Sequence, residues 1–168
     1  MRRLGYGIFY TLPFPLRRRL VRLVVAKYTV GAVALVRDAE AAGPDRLLLL
    51  RQPPGIGWTL PAGLLQRGES PIEGCARELA EETGLVLGRD ELVPSVPSAV
   101  IHHRGMWVDV VFDANVHASQ VELTVDGAEV LEARFHRVDN LPPLTPPTAR
   151  LLSYYGIGPL VDYPEVRA

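Results

Sequence analysis

The sequence lacks the features of a secreted or membrane-spanning protein. Its single cysteine, Cys75, has no partner in the chain, so an intramolecular disulfide framework is excluded. The apolar run at residues 28–36 is far shorter than the roughly 20 residues that cross a bilayer. No secretory signal is recognisable. We therefore expect a cytoplasmic protein without a transmembrane segment.

Acidic residues are absent from positions 1–27, the basic leader, and the remainder of the chain is correspondingly acidic. The leader carries seven basic residues, namely Arg2, Arg3, Arg17, Arg18, Arg19, Arg22 and Lys27. Apolar residues recur in it at helical spacing, which predicts a helix containing Leu16, Leu20, Leu23 and Val24. We expect this helix to pack on its own domain or on a second copy of the chain, in a homodimer. Contact with an anionic membrane surface is the alternative.

The remaining sequence predicts one mixed domain at residues 28–156, followed by a tail at residues 157–168. With 48% hydrophobic and 22% charged residues, the 168 residues supply one globular core. Short apolar stretches predict strands at residues 28–36, 46–51, 96–103, 107–116 and 131–138. Ser70, Pro71 and Glu73 predict the start of a helix. Gly84 ends it. Residues 61–63 are expected to open a loop, and a last helix is expected at residues 148–155. The fold class is therefore α/β in the broad sense (α+β), with helices flanking a largely antiparallel or mixed sheet.

Three glutamates share one face of the central predicted helix. At 3.6 residues per turn, Glu78, Glu81 and Glu82 fall within an arc of about 100°, opposite an apolar face. Clustered carboxylates repel one another, which indicates that a cation occupies this face. Oxygen ligands without histidine or thiolate suit Mg²⁺ or Mn²⁺. Arg77 lies one turn before Glu81 and can fork onto a carboxylate. A solvated acidic face with ordinary salt bridges is the alternative.

The spacing of these acids is similar to the signature of the Nudix family. That signature, the Nudix box, is Gly, five residues, Glu, seven residues, then Arg-Glu-apolar-any-Glu-Glu-any-Gly-apolar, and here it runs from Gly63 through Glu69 to Leu85. The resemblance covers residues 28–144. It implies a three-layer α/β/α sandwich with a mixed sheet, in which the box forms a loop, a helix and a loop. Ala62 departs from the family, which often has a second glycine there, and this raises the question of how the loop is shaped.

The resemblance also implies a set of metal-binding residues. Glutamates that match Glu78, Glu81 and Glu82 bind metal directly or through water, commonly with the carbonyl of the residue that matches Gly63. Residues that match Glu69 and Arg77 orient those carboxylates. The implied activity is that of a Nudix hydrolase, in which Mg²⁺ or Mn²⁺ promotes attack of water on one phosphorus of a diphosphate.

The general base for this reaction has several candidates. Within the box they are Glu81 and Glu78. Outside it they are Glu122, Glu129 and Glu132, and Glu129 is favoured. Solvent exposure without a catalytic role is the competing interpretation of that residue.

The expected substrate is a small nucleotide, and no nucleic-acid partner is expected. Arg51 and Arg104 are candidates for phosphate contact, and the candidates for stacking on a base are Trp58, Trp107 and Phe112. Each has a competing interpretation as a surface charge or a core aromatic. Residues 95–98 are faintly similar to the proline-containing loop of ADP-ribose pyrophosphatases, which favours ADP-ribose or a nucleotide sugar. An oxidised nucleoside triphosphate is one alternative. A non-catalytic nucleotide sensor is another, against which the complete set of carboxylates argues.

Overall fold

The structure is a computed structural model that describes residues 11–43, 45–103 and 105–163. The helices described are α1 Phe14–Val24, α2 Pro71–Thr83 and α3 Pro146–Ser153. The strands are β1 Thr29–Asp38, β2 Arg46–Arg51, β3 Trp58–Thr59, β4 Ala62–Leu64, β5 Val93–His102, β6 Trp107–Val116 and β7 Glu132–Arg137. Short 3₁₀ helices occupy Arg89–Glu91 and Ala118–Gln120.

The strands form one mixed sheet. Its main order is β3-β2-β1-β6-β5, while β4 pairs with β1 and β7 pairs with β2. β1 and β6 run parallel over ten residues, from Thr29 opposite Trp107 to Asp38 opposite Val116. The other pairings are antiparallel, including the predicted pairs β1–β2 and β5–β6. The prediction of a mixed sheet is confirmed.

Helices cover both faces of the sheet. Along β1, Ala32 and Val36 belong to a core cluster that includes Leu79 of α2. The alternating residues Val33 and Leu35 belong to a second cluster, which includes Leu152 of α3. A strand that is buried on both faces has apolar residues on both. The sequences of β1 and β2 are therefore continuous apolar runs without alternating polar residues. The predicted α/β/α layering is confirmed.

The caps of α2 hold the box helix in place. The Ser70 backbone amide donates to the Glu73 carboxylate at 3.0 Å, which forms the predicted capping box. At the other end, Gly84 has φ of 72°, a left-handed conformation that glycine adopts without steric cost. Leu79 is fully buried between these caps. The helix therefore begins and ends where the sequence indicated.

Several boundaries differ from the predictions, among them those of α3, which runs from Pro146 to Ser153 instead of from 148 to 155. Residues 62–64 form strand β4 rather than a loop, because Ala62, Gly63 and Leu64 pair with β1. Strand β5 begins at Val93, before the predicted start, and its register with β6 shifts between Pro94 and Ala99. Proline has no N–H to donate, so Pro94 and Pro97 favour an irregular edge strand here.

Helix α1 lies within the predicted basic leader but buries no side chain. The large apolar residues of the helix are between 39% and 87% exposed, and its expected packing on its own domain stays a prediction. The homodimer and the division of the chain at residues 27 and 156 stay predictions. No helix in the described ranges has the length and apolar character needed to span a membrane.

Candidate active site

Arg77 lies at the centre of the acidic face of α2. Its Nε and Nη2 donate to the two oxygens of Glu69 at 2.8 and 3.0 Å. Its Nη1 donates to both Glu78 and Glu81, at 2.8 and 2.9 Å. Hydrogen bonds from Arg77, and a further one from the Gln66 amide, lower the pKa of Glu69 to about 2. Glu69 is thus ionised at neutral pH and fixes the guanidinium, which in turn orients the other two carboxylates.

Glu82 occupies a different environment from Glu78 and Glu81. Its residue is only 8% exposed, so the prediction that all three glutamates present themselves on an open face is wrong for Glu82. Its Oε1 accepts a hydrogen bond from Gln52 Nε2 at 2.8 Å, and its Oε2 accepts one from the Ala62 amide at 2.9 Å. The segment that carries β4 covers this side of the helix, which the helical spacing alone does not indicate.

The charge of Glu82 is poorly compensated. Burial, together with the charges of Glu78 and Glu129, raises the pKa of this carboxyl to about 7, although the hydrogen bonds from Ala62 and Gln52 oppose the rise. Within the described ranges, no basic side chain forms an ion pair with it. A carboxylate in such a place is stabilised by any cation that approaches it.

Two glycines make room for oxygen atoms beside Glu78. A Cβ added to Gly63 would overlap the carboxyl group of Glu78, and one added to Gly31 would lie 3.1 Å from the carbonyl oxygen of Gly63. Side chains at these positions would therefore displace a carboxylate and a carbonyl from a shared space. Ala62 in strand β4 does not have a positive φ, since Met106 is the one described non-glycine residue that has. The backbone at Ala62 therefore needs no glycine.

These donors fit a divalent metal in their chemistry. Glu78, Glu82 and the Gly63 carbonyl are hard oxygen ligands of the kind that Mg²⁺ and Mn²⁺ prefer. As the side chains lie, no three His, Cys, Asp or Glu residues in the described ranges form a ready metal cluster. Arg77 Nη1 donates to both Glu78 and Glu81, while Glu82 accepts hydrogen bonds from Gln52 and Ala62. The ligand set of Gly63, Glu78, Glu81 and Glu82 stays a prediction.

The candidates for substrate contact have other partners in the structure. Arg51 Nη2 pairs with Glu132 at 3.1 Å. The Trp58 ring lies edge-on against His136, with 4.4 Å between centroids, and packs on the core beneath α3. Their contacts with substrate stay predictions, and Arg104 lies outside the described residues.

The remaining aromatic candidates are less accessible. Phe112 is 5% exposed and belongs to the core beneath α2, so its proposed stacking on a base is wrong because no face of its ring is free. The Trp107 ring stacks on His102 at 4.7 Å.

The acids outside the box differ in their surroundings. Glu129 lies close enough for its charge to raise the pKa of Glu82. Glu132 is paired with Arg51 and with Arg134, the latter at 2.8 Å. Of these acids, Glu129 is the one whose charge acts on the buried carboxylate, and its catalytic role stays a prediction.

Gln52 is a site residue that the sequence did not indicate. It follows β2 in a turn, and its amide reaches Glu82 across 30 positions of sequence. No local pattern signals such a contact, because glutamine in a turn is ordinarily exposed.

Replacing Gln52 by leucine should weaken the apparent affinity for Mg²⁺ by about tenfold or more, because residues that orient metal ligands typically contribute that much. The hydrogen bond to Glu82 Oε1 would be lost, and the carboxylate would be held by Ala62 alone. Metal titration followed by calorimetry measures the change. Gln120→Leu, the same change at an exposed position, is the control, and equal affinities in the two variants would contradict the role assigned to Gln52.

Comparison with known proteins places these features in a family. The NUDIX domain family matches residues 27–155. The chain is 31% identical over 120 residues to the ADP-ribose pyrophosphatase of Methanocaldococcus jannaschii, which covers 70% of this chain and 68% of that protein. A solved structure of a MutT NUDIX hydrolase from Burkholderia pseudomallei has a TM-score of 0.58 and 26% identity, covering 73% of this chain and 93% of that one.

Some curated relatives are much longer than the matched region. The chain is 38% identical over 88 residues to an octanoyltransferase of Myxococcus xanthus, covering 46% of this chain but only 25% of that protein. The chain therefore spans about a quarter of the length of this relative, and the likeness is confined to the shared domain.

The chain belongs to the Nudix hydrolase family. The match spans the sheet, the box helix and α3, so the family predicted from residues 63–85 is confirmed together with its fold. Nudix hydrolases generally use divalent metals, in keeping with the oxygen donors beside Gly63.

Proposed function

We propose that this protein is a divalent-metal-dependent pyrophosphohydrolase that cleaves the diphosphate bond of a nucleoside diphosphate linked to a further group. ADP-ribose or a nucleotide sugar is the proposed substrate class, and Mg²⁺ or Mn²⁺ the proposed metal. The observation that carries the proposal is that a buried Glu82, whose charge no basic side chain of the described residues offsets, feels the charge of Glu78, which fills the space left by Gly63.

The name of the archaeal relative, an ADP-ribose pyrophosphatase, supports this choice of substrate. Among the relatives described above, it combines more than 30% identity with coverage of two thirds of both chains. A nucleotide sensor on the same fold would not need to retain carboxylates that repel one another.

The residues of this chain would divide the catalytic work. Glu78, Glu81 and Glu82, with the Gly63 carbonyl, would hold the metal, and Arg77 and Gln52 would set the orientation of these carboxylates. A bound divalent metal supplies positive charge to the diphosphate and acidifies a water molecule. Glu129 would accept the proton of the attacking water, since it is the acid outside the box whose charge acts on Glu82.

The choice of base predicts unequal effects of two neighbouring substitutions. Glu129→Gln should lower kcat by about a hundredfold, within the range that general-base catalysis contributes, with little change in KM. Glu122→Gln, in the same connecting segment, should leave both constants near those of the wild type. Steady-state kinetics over a range of pH measure the two variants. A larger loss in Glu122→Gln would transfer the role to that residue.

A panel of nucleotides tests the proposed function directly. The protein is incubated with ADP-ribose, a nucleotide sugar, a dinucleotide and a nucleoside triphosphate, each with Mg²⁺, Mn²⁺ or chelator, and both products are identified. We expect a nucleoside monophosphate and a sugar phosphate, and we expect chelator to abolish their formation. Preferred release of diphosphate from the triphosphate would show that the substrate class is wrong. Binding of ADP-ribose without turnover under any condition would favour the sensor.

A further inference from the structure

Helix α1 presents an exposed apolar face. None of its eleven residues is buried: Leu23 and Val24 are 80% and 87% exposed, and Leu16 and Leu20 are 43% and 39% exposed. Isolated exposed apolar residues are common on proteins, but a continuous helical face of them indicates a binding surface.

Three of the four arginines of α1 lie on another side of the helix, and the fourth, Arg17, lies beside Val24 at the edge of the apolar face. At about 100° per residue, Leu16, Leu20, Leu23 and Val24 fall within an arc of about 100°. Arg18, Arg19 and Arg22 fall within a second arc of similar width, whose centre is roughly 140° from the first. No acidic residue is present in the helix. An apolar face opposite a purely basic face is typical of helices that lie in the plane of a membrane interface.

Pairing with α1 of a second copy of the chain does not explain this apolar face. Eleven residues make a helix about 16 Å long, and two such helices cannot bury the roughly 1,200 Å² that stable interfaces bury. Pairing through the apolar faces would also leave the arginines of both copies without compensating acids from the partner helix. A lipid surface can cover the apolar face and also compensate the charge. Acyl chains accept the whole apolar face, and anionic headgroups attract the arginines.

We propose that α1 binds the surface of an anionic lipid membrane, lying in the interface with its apolar face toward the acyl chains. Residues 25–28 alone separate α1 from β1. β1 is the strand on which Gly31 and Ala32 pair with Leu64 and Gly63 of the site. A helix held at the membrane therefore holds the candidate active site close to the lipid surface. This proposal does not depend on the proposed activity.

Vesicle co-sedimentation of the full chain tests the proposal. The wild type should sediment with vesicles of phosphatidylglycerol and phosphatidylcholine, but not with phosphatidylcholine alone, and high salt should release it because the Debye length then shortens. A variant with Arg18→Gln, Arg19→Gln and Arg22→Gln should bind at least about tenfold more weakly. Leu20→Gln with Leu23→Gln should reduce binding to a similar degree, since it removes apolar area without changing charge.

The matched control removes the same charge from the domain, through Arg89→Gln, Arg134→Gln and Arg137→Gln. These arginines are exposed and pair with neighbouring acids, so the control should retain vesicle binding. Thermal unfolding verifies that each variant is folded, which is expected for α1 because it buries no residue. The proposal is overturned if the wild type does not bind anionic vesicles at low salt, or if the helix variants bind them as well as the control does. It is equally overturned if the protein is a dimer that does not bind lipid and that becomes a monomer in the Leu20→Gln, Leu23→Gln variant.

Discussion

Replacing Glu81 by glutamine should lower kcat by about two orders of magnitude or more while preserving the fold. The amide keeps the size of the side chain and an oxygen that can accept the 2.9 Å hydrogen bond from Arg77 Nη1. It removes the negative charge that either a metal ligand or a proton acceptor needs at this position. The Glu81 side chain is 59% exposed, so its neutralisation leaves the core unaffected. Steady-state kinetics on the substrate identified by the panel measure the loss.

Glu91→Gln is the control for this experiment. The Glu91 carboxylate accepts a hydrogen bond from the Gly88 amide at 2.7 Å, a contact that a glutamine oxygen preserves. Raising the Mg²⁺ concentration distinguishes two roles for Glu81, because excess metal restores part of the activity if the residue is a ligand and none if it is the base. Wild-type turnover in Glu81→Gln would remove the residue from the catalytic machinery altogether.

Replacing Glu82 by glutamine should stabilise the metal-free protein at pH 8, even though it should inactivate the enzyme. Burial raises the pKa of Glu82 from 4.5 to about 7 in the folded chain. The folded state therefore holds its proton more tightly than the unfolded state. As pH rises from 4.5 to about 7, the unfolded state releases the proton first, and the free energy of unfolding falls. At about 1.4 kcal/mol per pKa unit, the loss reaches about 3 kcal/mol at and above the upper end of that window.

Glutamine avoids this loss because it carries no charge. Gln52 can turn its amide to accept a hydrogen bond from the new side chain, while the Ala62 amide still donates to its oxygen. Urea unfolding between pH 4.5 and 9 in the presence of chelator measures the effect. The two proteins should be similar at the acidic end and diverge toward pH 8. Glu81→Gln, which removes an exposed carboxylate, should not reproduce the gain, and parallel pH profiles for Glu82→Gln and the wild type would contradict the assigned burial.

Features set by neighbours in the sequence were predictable. The Ser70 and Glu73 cap and the stop at Gly84 depend on residues within one turn of each other, and α2 has these ends. The apolar runs of β1 and β2 predicted strands because their residues are buried on both faces of the sheet.

Features set by distant partners were not predictable. β4 became a strand because β1 offers it free hydrogen-bonding groups, which no property of residues 62–64 reveals. The helical spacing placed Glu82 beside Glu78 and Glu81. It does not reveal that the segment carrying β4 covers Glu82 and leaves it buried. The contact from Gln52 likewise depends on where β2 ends relative to α2.

Arg77 gives the site a resident counter-ion. Its guanidinium is permanently charged and is tethered to the same helix as Glu78 and Glu81, so it competes with any ion that arrives from solution. The affinity for a metal at the proposed site would then be the difference between the attraction of the carboxylates to the metal and their attraction to Arg77. Domains whose ligands are held together only by their ion unfold when it is removed. Here Glu78 and Glu81 have the guanidinium as a partner without any metal, so a metal at the proposed site would bind to and leave a scaffold that is already folded.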